Sequence, residues 1–193
     1  MENLLKKFEE IKQKNLSIDL TRGKPHSDQL DLSNDLMMQH VDPIGENNID
    51  LRNYGEPIGI IEARKLGADI LDSKVELTIA GEQSSYLLMT QLLLGRYLFG
   101  IDEDPWKDDE EPAFLCAVPG FDRHFATLEG LGLKMYTVNL CPSGIDLEDL
   151  TKKLSKHPNI KGMICVPRHS NPSGEVFSDK NIEELLKITK EYN

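Results

Sequence analysis

The chain has 193 residues, of which 39% are hydrophobic and 28% charged, and a formal net charge of −11 at neutral pH. That length suits one domain, or one domain with an appended segment, and the composition is globular rather than disordered. The acidic balance argues against nucleic acid as a partner: phosphate contacts need clustered Lys and Arg, and the runs that stand out here are acidic ones, at 102–104 and 108–111, which read as solvated loops.

Residues 1–15, MENLLKKFEEIKQKN, lack the uncharged core of a signal peptide. They place Leu4, Leu5, Phe8 and Ile11 on one helical stripe. Residues 17–56 are rich in Gly, Pro, Asn and Asp and short on periodicity, as in an irregular arm with brief ordered pieces. After Pro57 the spacing of Ile60, Ile61, Ala63, Leu66, Ile70 and Leu71 predicts a helix, and the alternation of Val75, Leu77 and Ile79 a strand. Ser84 or Ser85 can cap a helix running to about Phe99. An acidic loop with the only tryptophan, Trp106, leads to the buried strand AFLCAVP at 113–119. A helix through Phe125 and Leu128 should end near Gly130, and 133–138 should be a strand. Asp146 is the cap for a helix through Leu147, Leu150 and Leu154. Residues 160–166 form another apolar strand, and a last helix starts at Asp179 with Ile182, Leu185, Leu186 and Ile188 inward.

No apolar stretch is long enough to span a bilayer, so no membrane partner is expected. The three cysteines, Cys116, Cys141 and Cys165, are odd in number and widely spaced, which indicates neither a disulfide framework nor a zinc site. Cys116 and Cys165 lie in apolar runs and read as buried, inert thiols. The five histidines lack metal-ligand spacing, so no metal is expected, and a reducing cytoplasm fits this cysteine usage.

From residue 75 onward strands and helices alternate, which predicts an α/β sheet with helices on both faces. Ligands of such sheets sit where strand-to-helix loops converge. Three loops are informative: 80–85, 119–124 and 167–175. In the first, Gly81 followed by Ser84 and Ser85 at a helix start can offer backbone N–H groups and hydroxyls to a phosphate, or be a plain cap. Glu82 would repel a phosphate unless it points away. In the second, Phe121 can stack on a flat ring or act as a core lid. In the third, residues 171–174 (NPSG) can present the Asn171 amide to a phenolate-like oxygen, or be a tight turn.

Taken in order, LTRGKP at 20–25, RNYG at 52–55, GIIEARKLG at 59–67, PGFDRHF at 119–125 and SNPSG at 170–174 resemble the N-terminal part of fold-type I, pyridoxal-phosphate-dependent aminotransferases. The arm motif brings the chain close to the aspartate-aminotransferase subgroup. The resemblance implies a partial three-layer α/β sandwich with a mainly parallel sheet, plus an N-terminal helical arm. It divides the chain into an arm at 1–56 and an incomplete cofactor-binding large domain at 57–193. It implies pyridoxal 5′-phosphate as cofactor, with Asn171 on the ring oxygen, Phe121 on the ring face and Ser84 and Ser85 around the phosphate. Tyr54 would reach the phosphate bound in a partner subunit, so a homodimer or other self-association is implied. Gly23 would lie against the substrate carboxylate, and Arg22 would either contact an acidic substrate side chain or serve the arm structurally.

The resemblance further implies amino-group transfer between an amino acid, aspartate being the candidate, and a 2-oxo acid. No lysine of the chain matches the family's Schiff-base lysine, so no catalytic residue is assigned, the cofactor site is incomplete and the chain alone is expected to be inactive. Two readings follow: an aminotransferase truncated before that lysine, or a non-catalytic truncated product acting as a binding or interaction module.

Overall fold

The computed structural model describes residues 2–19, 23–101 and 103–192, and the chain divides into two units, Met1–Ile79 and Ala80–Asn193. The first unit holds the helices α1 (Glu2–Gln13), α2 (Ser27–Asp31), α3 (Asn34–Met37) and α4 (Ile61–Leu71). The predicted stripe of α1 is present, but Leu4, Leu5, Phe8 and Ile11 are all exposed. In the arm, α2 is closed by a capping box: His26 Nδ1 accepts the Asp28 N–H, and Gln29 Oε1 accepts the His26 N–H.

The strand expected over Val75, Leu77 and Ile79 is not formed. Val75–Leu77 is a 3₁₀ turn, and Leu77 and Ile79 are exposed. The acceptors that a ladder would need are taken by side chains. Arg64 donates from Nε to the Thr78 carbonyl (2.9 Å) and from Nη2 to the Val75 carbonyl (2.7 Å). Thr78 Oγ1 donates to the Lys74 carbonyl at 2.8 Å. Loop 80–85 therefore does not follow a strand, contrary to expectation.

The second unit is built on β1 (Ala113–Val118), buried from Ala113 to Ala117. A strand covered on both faces must be apolar at every position, and β1 is. Leu115 and Ala117 enter one core cluster; Phe114 and Cys116 enter the other. Parallel neighbours flank it: β2 (Lys134–Cys141) with Leu115 opposite Tyr136, and β4 (Ile160–Ile164) with Leu115 opposite Met163. The two-residue strand β3 (Gly144–Ile145), which periodicity does not reveal, pairs antiparallel with β2, giving the order β3-β2-β1-β4.

Helices cover both faces, as expected for a partial three-layer sandwich. α7 (Leu147–Lys156) and α8 (Asp179–Glu191) contribute Leu150, Leu154, Ile182 and Leu185 to the Leu115 side. α5 (Ser85–Phe99) and α6 (Asp122–Gly130) contribute Leu93, Tyr97, Phe125 and Leu128 to the Phe114 side. The caps are side-chain oxygens on first-turn N–H groups: Ser84 for α5, Asp146 for α7 and Ser178 for α8. The acidic loop before β1 is anchored by Trp106, which is buried edge-on to Phe114 at 5.5 Å and donates from Nε1 to Glu103 at 3.0 Å.

Buried Asn181 of α8 holds β3 in place. Its Oδ1 accepts the Ile145 N–H (2.9 Å) and its Nδ2 donates to the Ile145 carbonyl (2.8 Å). A side chain at Gly144 would collide with this amide. Asn181→Ala strands two backbone groups and should lower unfolding free energy by roughly 2–4 kcal/mol, measured by urea denaturation; a change within about 0.5 kcal/mol would refute the clamp.

Candidate functional site

The carboxyl ends of β1 and β4 lie side by side, and the turns that leave them meet. After β1 the chain passes through a cis Val118–Pro119 bond and Gly120 into α6. A Cβ at Gly120 would sit 2.6 Å from the Ala117 carbonyl oxygen and 2.6 Å from Phe125 Cζ, so only glycine fits this close approach. The half-buried ring of Phe121 follows, edge-on to His124 at 5.3 Å. Phe121, His124, Cys165, Val166 and Ser170 line a narrow crevice of about 10 Å³ between the two loops.

The turn after β4 is held at both ends. The Ser170 N–H donates to the Glu175 carbonyl (3.0 Å), the Gly174 N–H to the Ser170 carbonyl (2.5 Å) and the Phe177 N–H to the Pro167 carbonyl (2.8 Å). Gly174 has φ +81, the left-handed region that favours glycine. The Asn171–Pro172 bond is cis. Ser170 is buried while Asn171 is exposed, and the Asn171 amide makes no hydrogen bond among the described residues. The tight-turn reading and the amide-donor reading of this motif are thus compatible: the backbone makes the turn and the side chain stays free. Glu175 Oε2, which the sequence did not single out, is buried without a hydrogen-bond partner among the described residues.

The start of α5 reaches the same region. Tyr86 O–H and Thr127 Oγ1 of α6 are 2.6 Å apart, and the Tyr86 ring lies 6.0 Å from that of His124. His124 therefore contacts both the second loop, through Phe121, and the first, through Tyr86. Nothing in its type marks it, but its place three residues after Phe121 at a helix start puts both on one face. Ser84 Oγ accepts the Leu87 N–H at 3.3 Å and so is a cap, with its own proton still free to donate. Ser85 is exposed, and the first-turn N–H groups of Ser85 and Tyr86 have no intrahelical acceptor. Glu82 is exposed.

Burial pushes the Cys116 thiol up to about 11 and raises that of Cys165, which is half-buried rather than buried as expected, so both are protonated and uncharged at neutral pH. No metal-binding group of His, Cys, Asp and Glu occurs among the described residues, and no described helix is long and apolar enough to cross a membrane. In the first unit, Tyr54 is 96% exposed and a Cβ on Gly23 would meet nothing within 4 Å. Leu20, Thr21 and Arg22 of the arm motif lie outside the described residues.

Hydroxyls and free N–H groups at the start of α5 suit a phosphate dianion. Phe121 suits a flat ring, and the unpaired Asn171 amide suits an anionic ring oxygen. The residues present therefore fit pyridoxal phosphate on their side of a pocket.

A family model described as "Aspartate amino-transferase" matches residues 1–191. The aspartate aminotransferase of Corynebacterium glutamicum is 41% identical over 188 residues, which is 95% of this chain and 43% of that protein. A crystal structure of an aspartate transaminase from C. glutamicum superposes with TM-score 0.82 at 38% identity, covering 95% of this chain and 44% of that one. The crystal structure of a "putative aminotransferase" from Corynebacterium diphtheriae gives TM-score 0.84 at 39% identity, covering 96% of this chain and 46% of that one. The chain thus spans less than half the length of these relatives.

Gly120→Ala should reshape the loop that presents Phe121 and destabilise the second unit by about 1–3 kcal/mol. Denaturation curves check the stability, and chemical shifts of His124 check the loop. Unchanged stability and shifts would show that the close approach is not required.

Proposed function

The chain belongs to the aspartate amino-transferase family, and on that premise we propose that it forms one wall of the cofactor pocket of a pyridoxal-phosphate-dependent aminotransferase. The reaction proposed is transfer of an amino group between an amino acid, aspartate being the candidate, and a 2-oxo acid. The observation that carries this reading is the convergence of three loops in one unit: Tyr86 and Phe121 both contact His124, and Phe121 shares a crevice with Ser170 beside Asn171.

When bound, the cofactor ring supplies an electron sink for bond breaking at the substrate α-carbon. The chain's own residues position it. Ser84, Ser85 and the first-turn N–H groups of α5 hold the phosphate, aided by the positive end of the helix. Phe121 would lie against the ring face and keep water from it. Asn171 would donate from Nδ2 to the ring oxygen and stabilise its negative charge without a full counter-charge. The protonated Cys165 thiol adds no competing nucleophile to the crevice. Tyr54, fully available to solvent in its own unit, would reach the phosphate held by a second subunit, so the assembly proposed is a homodimer or other self-association. Gly23, with open space where a side chain would stand, lies by the substrate carboxylate. A reducing cytoplasm suits the three free cysteines.

Pyridoxamine 5′-phosphate, which has no aldehyde to react with surface lysines, is the probe for these contacts. Calorimetric titration should show binding, with Phe121→Ala and Asn171→Ala each weakening it by about 3- to 10-fold. Equal affinity in both variants, or no binding, would sink the pocket assignment. Amino transfer from aspartate to a 2-oxo acid by a polypeptide carrying this sequence tests the reaction itself, and its absence with the cofactor bound would sink that part alone.

A further inference from the structure

The end of the sheet opposite the candidate site carries a cluster of cations. β1, β2 and β4 all start there, with Ala113 paired to Lys134 on one side and to Ile160 on the other. α7, which leads into β4, finishes at the same end. His157 closes α7: its N–H donates to the Lys153 carbonyl (3.0 Å), and its carbonyl accepts the Ile160 N–H (3.3 Å). Its ring lies flat on that of Tyr136 from β2, with the centroids 3.8 Å apart and 16° between the planes. Lys134 Nζ stands 5.7 Å from the centre of the same Tyr136 ring.

Each neighbouring element brings a titratable or charged group to this imidazole. α7 brings Lys153 and Lys156, and β2 brings Lys134 and the Tyr136 phenol. The loop before β1 brings Glu111, whose Oε2 is 3.1 Å from Lys134 Nζ. From α8 the Tyr192 hydroxyl comes within 2.7 Å of Ser155 Oγ. Three ammonium groups against one carboxylate make this spot positive in a chain of net charge −11. Lysines in a last turn offset the negative end of a helix, which accounts for Lys153 and Lys156 taken alone. It does not account for Lys134, which a strand supplies. Partial burial, and then the charges of Lys156, Lys153 and Lys134, hold the His157 imidazole below its ordinary range. At neutral pH the stacked pair is therefore an uncharged plate set among ammonium groups.

We propose that this cluster is a binding site for a compact polyanion, with condensed phosphate, free or carried on a nucleotide, as the ligand class. Like charges gathered around one ring repel one another, and Glu111 and the end of α7 offset only part of that repulsion. Ammonium groups from two separate elements suit a ligand with several charges better than a single carboxylate, and lysine meets phosphate as a point charge. An anion held there opposes the lysines at His157 and so raises the imidazole's pKa. By reciprocity, protonated His157 adds a fourth cation and tightens the site as pH falls. The inference rests on this end of the sheet alone and does not depend on the reaction proposed above.

The test is a pH titration of the His157 ring signals by NMR, on the full chain, with and without inorganic pyrophosphate. Pyrophosphate should move the His157 midpoint up by about 0.5 pH or more, and sodium chloride at equal ionic strength should not match it. Lys153→Gln and Lys156→Gln should each weaken pyrophosphate binding, read from the same signals, by about two- to fivefold. Glu111→Gln, which releases Lys134, should strengthen it by a similar factor, a gain that damage to the fold cannot imitate. Tighter binding of ADP than of pyrophosphate would assign a nucleotide, and equal or weaker binding would assign free condensed phosphate. An equal effect of chloride, or unchanged binding in both lysine variants, would overturn the proposal. So would movement of the His124 signals without those of His157, which would put the anion at the start of α5 instead.

Discussion

The second unit depends on one constraint: β1 is paired on both edges by parallel strands and covered on both faces. Parallel neighbours cannot be joined by hairpins, so each link from β1 to β2 and from β2 to β4 has to travel over a face. That requirement places α6 on one side and α7 on the other, and makes every position of β1 apolar. It also collects the outgoing turns of β1 and β4 at one end. The candidate site is a consequence of this arrangement more than of any single residue in it.

At that end, rigidity comes from backbone and chemistry from side chains. The turn at 170–175 is closed by main-chain hydrogen bonds and by Gly174, and this leaves the Asn171 amide unspent. The β1–α6 loop is fixed by the close approach at Gly120, which sets where Phe121 emerges. The α5 cap spends one lone pair of Ser84 and leaves two first-turn N–H groups unbonded. In each loop the group available to a ligand is the one not consumed by the fold. A buried donor or acceptor is costly when unpaired, so free groups persist where solvent or a ligand can reach them. Glu175 Oε2 departs from this, buried and unpaired within the same turn.

Much of this was readable from residues alone. β1, α6, α7 and α8 announce themselves by apolar runs, periodicity and capping residues, because their partners in the core are numerous and the pattern has to match. The segment at 75–79 has the alternation of a strand, yet alternation says only which side chains could share a face. The Arg64 guanidinium, from α4, takes its carbonyls instead. β3 is too short for any period, and it exists because Asn181, thirty-six residues away, hydrogen-bonds both polar groups of Ile145. In the site, Asn171, Phe121 and the serines stood out through ordered motifs. His124 did not, since its significance lies in touching two rings from separate segments, a fact of tertiary structure.

Ile164 links two spaces in the second unit. It is the last residue of β4, and it lines both the crevice that holds Phe121 and Ser170 and a groove of about 670 Å³ between α5 and β4, which Trp106 and Phe114 also line. A side chain shared by two cavities transmits packing between them, because interiors are close-packed and a shift on one side removes contacts on the other. The crevice and the groove are in this sense one packing problem, because they share a wall.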